Sequence, residues 1–317
     1  MSKVVVIAGP TCTGKSTLAI KLHLFLKEHG FESAIVNFDS LLFYKELSIG
    51  TARPSSYELA LAPHHLVAIA SIAKPLDASA YTKLALSLLQ KLFDKNIVPI
   101  LTGGSGFYLR AVLMGMYESK TSSEYVLHKS KILYDSEGID PFWNLLKTVD
   151  PVSFSTLHAN DHYRIRRAVE HWWENGTPLG EAAQDLKKSR IGLDNIHGWS
   201  LFQAYFDIPK PLHAGLIQER TKKMIEAGLI EEVRSLLKNG FSGTERPLQS
   251  IGYKETLDHL NGLFKDEKEY TERIFLSTRQ LAKSQRTWFK KQVGFKPYNS
   301  LNDSEMFLSD VLTFLQK

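Results

Sequence analysis

The chain opens on an unbroken apolar run, Val4-Val5-Val6-Ile7-Ala8, after which apolar residues fall at helical spacing, Leu18, Ala19, Leu22 and Leu26. The run predicts a buried strand, and the spacing predicts one face of a helix that Gly30 ends. Ala34-Ile35-Val36 predicts a second buried strand. Residues Ala80 to Phe93 return to helical spacing. They lead into a third apolar run, Ile97-Val98-Pro99-Ile100-Leu101, closed by Thr102-Gly103-Gly104-Ser105-Gly106. Strands alternating with helices, with glycine turns at the strands' carboxyl ends, predict an α/β fold on a parallel, doubly wound sheet flanked by helices.

The pattern changes near Gly115. From about 119 to 200 strand signals are few, while aromatic residues and polar helical stretches concentrate there. This predicts a helical insertion, residues 118–200, within a core domain made of 1–117 and 201–317. In the later part, Glu219 to Leu237 predicts one amphipathic helix, Arg273 to Lys291 a basic one, and Ser304 to Leu315 a short packing helix. Tyr44 to Leu66, punctuated by Gly50, Pro54 and Pro63, is expected to be irregular.

Chemistry enters at the junction of the first strand and helix, Gly9-Pro10-Thr11-Cys12-Thr13-Gly14-Lys15-Ser16. The spacing G-x-x-x-x-G-K-S is that of a phosphate-binding loop, and strand and helix stand on the correct sides of it. The glycines let backbone N–H groups turn inward toward a polyanion, and the new helix adds its positive end at the same place. Lys15 supplies a mobile charge, and the Ser16 hydroxyl can ligate Mg²⁺. The expected core is therefore P-loop NTPase-like. A loop of this kind identifies a phosphate site, not a reaction.

Composition is ordinary for a globular protein of 317 residues, 43% apolar and 23% charged. The net charge of +5 leans toward anionic partners, and the basic residues gather late in the chain. One cysteine excludes a disulfide framework or a cysteine-based zinc site. Met1-Ser2-Lys3 enters the first strand at once, and no apolar run is long enough to cross a bilayer. A soluble cytoplasmic protein is expected.

Asp39 follows the second strand, at the sheet end where ligands bind, and either acts beside the loop or caps the next segment. His64 and His65, adjacent on an extended segment, point opposite ways and suit hydrogen bonding better than metal binding. Asp161 precedes a helix whose early turns carry Arg164, Arg166 and Arg167, a set that suits RNA phosphates or simply a solvated basic face. Arg273 to Lys291 interleaves Arg279, Lys283, Arg286, Lys290 and Lys291 with Gln280, Gln285 and Trp288. Cations for phosphates, glutamine for base edges and tryptophan for stacking suit single-stranded RNA.

In order along the chain stand Gly9-Pro10-Thr11-x-x-Gly14-Lys15-Ser16, Asp39-Ser40-x-x-x-Tyr44, Ile49-Gly50-Thr51-Ala52-Arg53-Pro54 and His64-His65-Leu66. Gly103-Gly104-Ser105-Gly106-Phe107-Tyr108-Leu109-Arg110-Ala111, Asn160-Asp161…Arg164-Ile165-x-Arg167, Ile251-Gly252-Tyr253-Lys254-Glu255 and Arg279-Gln280-Leu281-Ala282-Lys283-x-Gln285-x-Thr287-Trp288-Phe289 follow. The set, from about residue 3 to residue 291, closely resembles the tRNA dimethylallyltransferases of bacterial type, also called tRNA isopentenyltransferases.

The resemblance implies transfer of a dimethylallyl group from its diphosphate to the exocyclic amine of the adenosine just 3′ of the anticodon, with Mg²⁺ as cofactor. It implies catalytic roles for Asp39, as general base, and Thr11, as donor to the breaking bond. Diphosphate or nucleotide binding then falls to Gly9, Pro10, Thr11, Cys12, Thr13, Gly14, Lys15 and Ser16, with Arg110 and Arg220. The tRNA contacts implied are Asp39, Ser40, Leu41, Leu42, Ser105, Tyr163, Arg164, Ile165, Arg166 and Arg167. Arg279, Gln280, Lys283, Gln285, Arg286 and Trp288 would hold the anticodon stem-loop. The partners expected are tRNA and dimethylallyl diphosphate, with no membrane, for a protein acting as a monomer.

Four positions depart from the family pattern. Cys12-Thr13 replaces Ala-Ser, Ser105 replaces threonine, and Ala68 stands where an aspartate often follows the histidine pair. Leu216 occupies the place of an arginine one helical turn before Arg220. Transfer to free adenine nucleotides, a small-molecule kinase and a non-catalytic RNA-binding relative are the competing readings. The insertion and the late basic segments disfavour the first two, and intact Thr11, Lys15, Ser16 and Asp39 disfavour the third.

Overall fold

Val4 to Ala8 expose no surface: strand β1 (Lys3–Ala8) has a neighbour along each edge, and Val5 and Ile7 pack into the sheet's main apolar core. The computed structural model describes residues 2–115, 122–181 and 197–317. Its remaining strands are β2 (Ser33–Asn37), β3 (His64–His65), β4 (Val98–Gly103), β5 (Ser200–Asp207) and β6 (Phe295–Asn299). They form one parallel sheet in the order β3-β2-β4-β1-β5-β6. Val5 pairs with Ile100 of β4 on one side and Phe202 of β5 on the other. On one face of the sheet, Ala19, Leu22 and Leu26 of the helix Lys15–Glu28 pack with Phe307, Val311 and Leu315 of the helix Ser304–Gln316.

The α/β architecture expected from the alternation of patterns is what the chain adopts, with additions. β5 and β6 were not anticipated. Gln203 interrupts the apolar run of β5, and its first four residues are only half-buried, so it lacks the continuous signal of β1. The expected single helix over 219–237 is two helices, Lys210–Glu226 and Leu229–Lys238. Gly228 parts them with φ +95°, a backbone conformation that no continuous helix contains. The irregular stretch holds β3 and a short helix, Ser56–Leu61, begun by a capping box of Ser55 and Glu58.

The chain divides into two compact units, Met1–Leu113 with His197–Lys317, and Met114–Ile196. In the second, the described residues form helices Glu124–Glu137, Asp140–Val149, Pro151–Thr156 and His162–Asn175. Phe142, Leu146, Ile165, Ala168 and Val169 form its core. Asp150 is fully buried there, its carboxylate accepting from the Ser153 and Gly180 N–H groups, each at 2.9 Å. Truncation would leave two buried donors unpaired and remove a helix cap. Asp150→Ala is therefore expected to destabilise this unit by about 2 kcal/mol, read as a lowered midpoint in denaturant unfolding.

Candidate active site

The carboxyl ends of four adjacent strands supply the site. β1 runs into the phosphate loop. Gly9 is required there by close approach, since a Cβ would lie 2.2 Å from the Phe206 carbonyl oxygen of β5. Gly14, at φ +76°, starts the helix Lys15–Glu28, which has no side-chain cap and no acid in its first turn. Its leading N–H groups are left for an anion.

Thr11 is held at every polar atom. Its N–H donates to Gln285 Oε1 at 2.8 Å, and its carbonyl accepts from His213 Nε2 at 2.7 Å. An Arg220 guanidinium N–H reaches its Oγ1 at 3.2 Å and the Cys12 sulfur at 3.8 Å. Thr13 Oγ1 and Lys15 Nζ both donate to the Pro10 carbonyl, at 2.9 and 2.6 Å. Burial lowers the Lys15 pKa to about 8, an effect the Asp39 carboxylate partly offsets.

Asp39 follows β2 and is bracketed by Asn37, whose side chain accepts its N–H at 2.8 Å and donates to its carbonyl at 3.1 Å. Its Oδ1 accepts the Leu41 N–H at 3.2 Å, and among the described residues Oδ2 accepts no hydrogen bond. Ser105, after β4, accepts the Ser40 N–H at 3.1 Å. Thr11, Asp39, Ser40, Leu41, Ser105, Arg220 and Gln285 line one cavity of about 340 Å³. Ile217, Met224, Ile274 and Leu281 give that cavity an apolar wall. A second cavity of about 790 Å³ lies along Cys12, Thr13, Gly14 and Leu216, and Arg220 and Met224 line both. An anion-binding loop, an unpaired carboxylate oxygen and an apolar wall are thereby gathered in one place.

Several residues expected to face a ligand are otherwise engaged. Arg110 is exposed on the helix Gly106–Met114 and lines neither cavity; Arg220 is the arginine that reaches the loop. Ile165 is fully buried in the second unit's core, which removes its side chain from any tRNA contact. Arg286 is not a free cation. It forks onto Asp207 at 2.7–3.0 Å and donates to His213 Nδ1 at 2.9 Å, with its side chain 12% exposed. Gln285 spends its amide on Thr11 and, at 3.0 Å, on the Gly104 carbonyl. Trp288, half-buried, lies so close on Gly106 that a Cβ there would be 2.4 Å from the ring, so part of its surface is taken by packing.

Arg167 pairs with buried Glu170 at 2.8 Å, and Arg166 lies over the Tyr134 ring and bonds Ser130. Tyr163 and Arg164 stay exposed, the latter paired with Asp161. Arg279, Gln280 and Lys283 line a further cavity with Lys210 and His213. Leu42 lines neither of the loop's two cavities, and its carbonyl accepts the Ala68 N–H. His64 Nδ1 bonds the Ala62 carbonyl.

His213 and Asp207 were missed altogether. A lone histidine in a helix of mixed pattern carries no signal, and Asp207 ends a strand that was not anticipated. Among the described residues no group of three or more His, Cys, Asp or Glu could hold a metal unaided. The oxygen donors in the first helical turn are the hydroxyls of Ser16 and Thr17. That donor set fits an ion bound largely by phosphate oxygens and water, as Mg²⁺ is.

Fold and site together define a P-loop α/β protein equipped to move a group from a phosphorylated donor. The IPP transferase family model matches residues 42–292. A tRNA dimethylallyltransferase of Trichlorobacter lovleyi is 34% identical over 92% of this chain and 91% of its own length. The tRNA isopentenylpyrophosphate transferase structure from Staphylococcus epidermidis superposes with a TM-score of 0.69 at 25% identity, covering 100% of this chain and 99% of that one. The Bacillus halodurans transferase shares the fold, with TM-score 0.70 at 24% identity over 100% and 96%. The chain belongs to the IPP transferase family.

Lys15 gives the site a pH dependence. A polyanion bound in the loop would favour its ammonium form and raise its pKa. Once a diphosphate ligand is fully ionised, its affinity should thus fall as pH rises through about 8. The loss approaches about tenfold per pH unit. Calorimetric titration around that value, with Lys15→Met as the flat control, checks the slope.

Proposed function

We propose that the protein transfers a dimethylallyl group from dimethylallyl diphosphate to the exocyclic amine of the adenosine immediately 3′ of the anticodon in tRNA. Transfer to a tRNA adenosine near the anticodon is the activity of its family. The observation that carries the residue assignment is the single cavity shared by Thr11, Arg220 and Asp39. In the transfer, the bond from C1 of the donor to its bridging oxygen breaks, and diphosphate leaves with the electron pair. The adenine nitrogen bonds to that carbon, and its proton passes to the Asp39 carboxylate.

Loop N–H groups, Lys15 and Arg220 stabilise the charge growing on the leaving diphosphate, and the Thr11 hydroxyl donates toward the breaking bond. Ser16 would hold Mg²⁺, which when bound supplies further neutralisation of that charge. Ile217, Met224, Ile274 and Leu281 exclude water from the allylic carbon, which would otherwise be hydrolysed. The target base leaves the anticodon stack to reach Asp39, Ser40 and Ser105. Tyr163 and Arg164 on one unit, and Arg279, Gln280 and Lys283 on the other, contact the RNA.

Labelled donor offered to an anticodon stem-loop RNA and, separately, to AMP tests this reading. Transfer to the RNA is expected. Transfer to AMP alone would make the protein a free-nucleotide enzyme, and ATP hydrolysis without transfer would make it a kinase.

A further inference from the structure

His213 lies in the helix Lys210–Glu226 and is 2% exposed. Its two ring nitrogens meet groups of opposite kind. The Thr11 carbonyl can only accept, so Nε2 carries the proton of that 2.7 Å bond. The Arg286 guanidinium can only donate, so Nδ1 presents its lone pair at 2.9 Å. The ring is fixed as its neutral Nε2–H tautomer, in keeping with burial, which holds its pKa below the ordinary histidine value. Arg286 is itself fixed by a forked pair with Asp207, and Asp207 accepts the Tyr205 hydroxyl at 3.0 Å and the Ile208 N–H at 2.9 Å. A chain of defined donors and acceptors therefore runs from the end of β5 to one carbonyl of the phosphate loop.

That carbonyl belongs to the peptide joining Thr11 and Cys12. The peptide is planar, so the Cys12 N–H points opposite to the Thr11 oxygen. Turning the oxygen toward His213 turns the N–H away from it, the sense an anion-binding loop needs. Cys12 is held at φ +61°, where a residue with a Cβ rarely rests. Rotation of this peptide would relieve that conformation and swing a carbonyl dipole toward the diphosphate.

Resting on the transferase reading, we propose that His213 is a positioning residue for the reaction: its bond to the Thr11 carbonyl keeps the Thr11–Cys12 peptide in the orientation that binds diphosphate. His213 lines neither of the loop's two cavities. Asp207 and Arg286 act through it, and Gln285 and Arg220 secure the other polar atoms of Thr11.

The test compares wild type with His213→Leu, His213→Met and His213→Gln. Glutamine can offer an N–H to Thr11 and an oxygen to Arg286; leucine and methionine fill the space and offer neither. Calorimetry with inorganic diphosphate reads the loop without turnover. The two apolar variants are expected to bind about tenfold more weakly, and the glutamine variant to within about threefold of wild type. In the transfer assay the apolar variants should raise KM for dimethylallyl diphosphate and lower kcat, leaving KM for tRNA within about twofold. Unchanged diphosphate affinity in the folded Leu or Met variant would overturn the proposal. So would a glutamine variant as impaired as they are. If wild type bound diphosphate but transferred nothing, the transferase reading would fail, while the binding comparison still decided the role of His213.

Discussion

Asp39→Asn is expected to slow transfer about 10²–10⁴-fold, the usual range for loss of a positioned general base. Asparagine keeps an oxygen for the Leu41 N–H and leaves the Asn37 bracket on the backbone untouched. Geometry is thus preserved while the capacity to take a proton is lost. An aromatic amine is a weak nucleophile and forms its new bond only as its proton departs. The loss should therefore fall on kcat under saturating donor and RNA, with diphosphate affinity near wild type. Single-turnover rates with both substrates prebound separate these quantities. A drop of less than about fivefold would mean that another group or water takes the proton.

Arg220→Leu should cost about 10²–10³-fold in kcat/KM for dimethylallyl diphosphate, the range found when one donor to a developing oxyanion is removed. Three cations line the second cavity, and two have other partners. Lys223 pairs with Glu219 at 2.6 Å, and Arg53 donates to the Lys45 carbonyl at 2.9 Å. Arg220 is the one that reaches Thr11 and Cys12. One turn earlier on the same helix stands Leu216, 37% exposed and uncharged. Of these two positions, which both line the second cavity, Arg220 alone carries a charge for a phosphate. Arg220→Lys should restore only part of the loss, because an ammonium lacks the planar fork that spans two acceptors. Steady-state kinetics in donor concentration measure both variants.

The phosphate loop and the sheet around it were legible because they are written locally. An apolar run, fixed glycines and a helical face follow one another without interruption from Val4 to Leu26. Asp39 was legible from its place at the end of a strand. The late helix Glu267–Phe289 was harder to read. Its composition suggested RNA, yet Gln285, Arg286 and Trp288 are spent on Thr11, on Asp207 and His213, and on Gly106. Composition shows what a side chain can bond, not whether another residue has already taken it. The partners lie up to 274 positions away in sequence, as for Thr11 and Gln285. Asp207 and His213 were invisible for the same reason.

Prenyl transfer in this cavity should join the allylic carbon to one exocyclic amine. Nucleoside-resolved mass spectrometry of an anticodon stem-loop after reaction tests it directly. Two RNAs are compared, with adenosine or inosine at the position 3′ of the anticodon. One added C5H8 unit is expected on that adenosine and none on inosine, which lacks the amine. Addition to inosine, or to any other nucleoside of the loop, would contradict it.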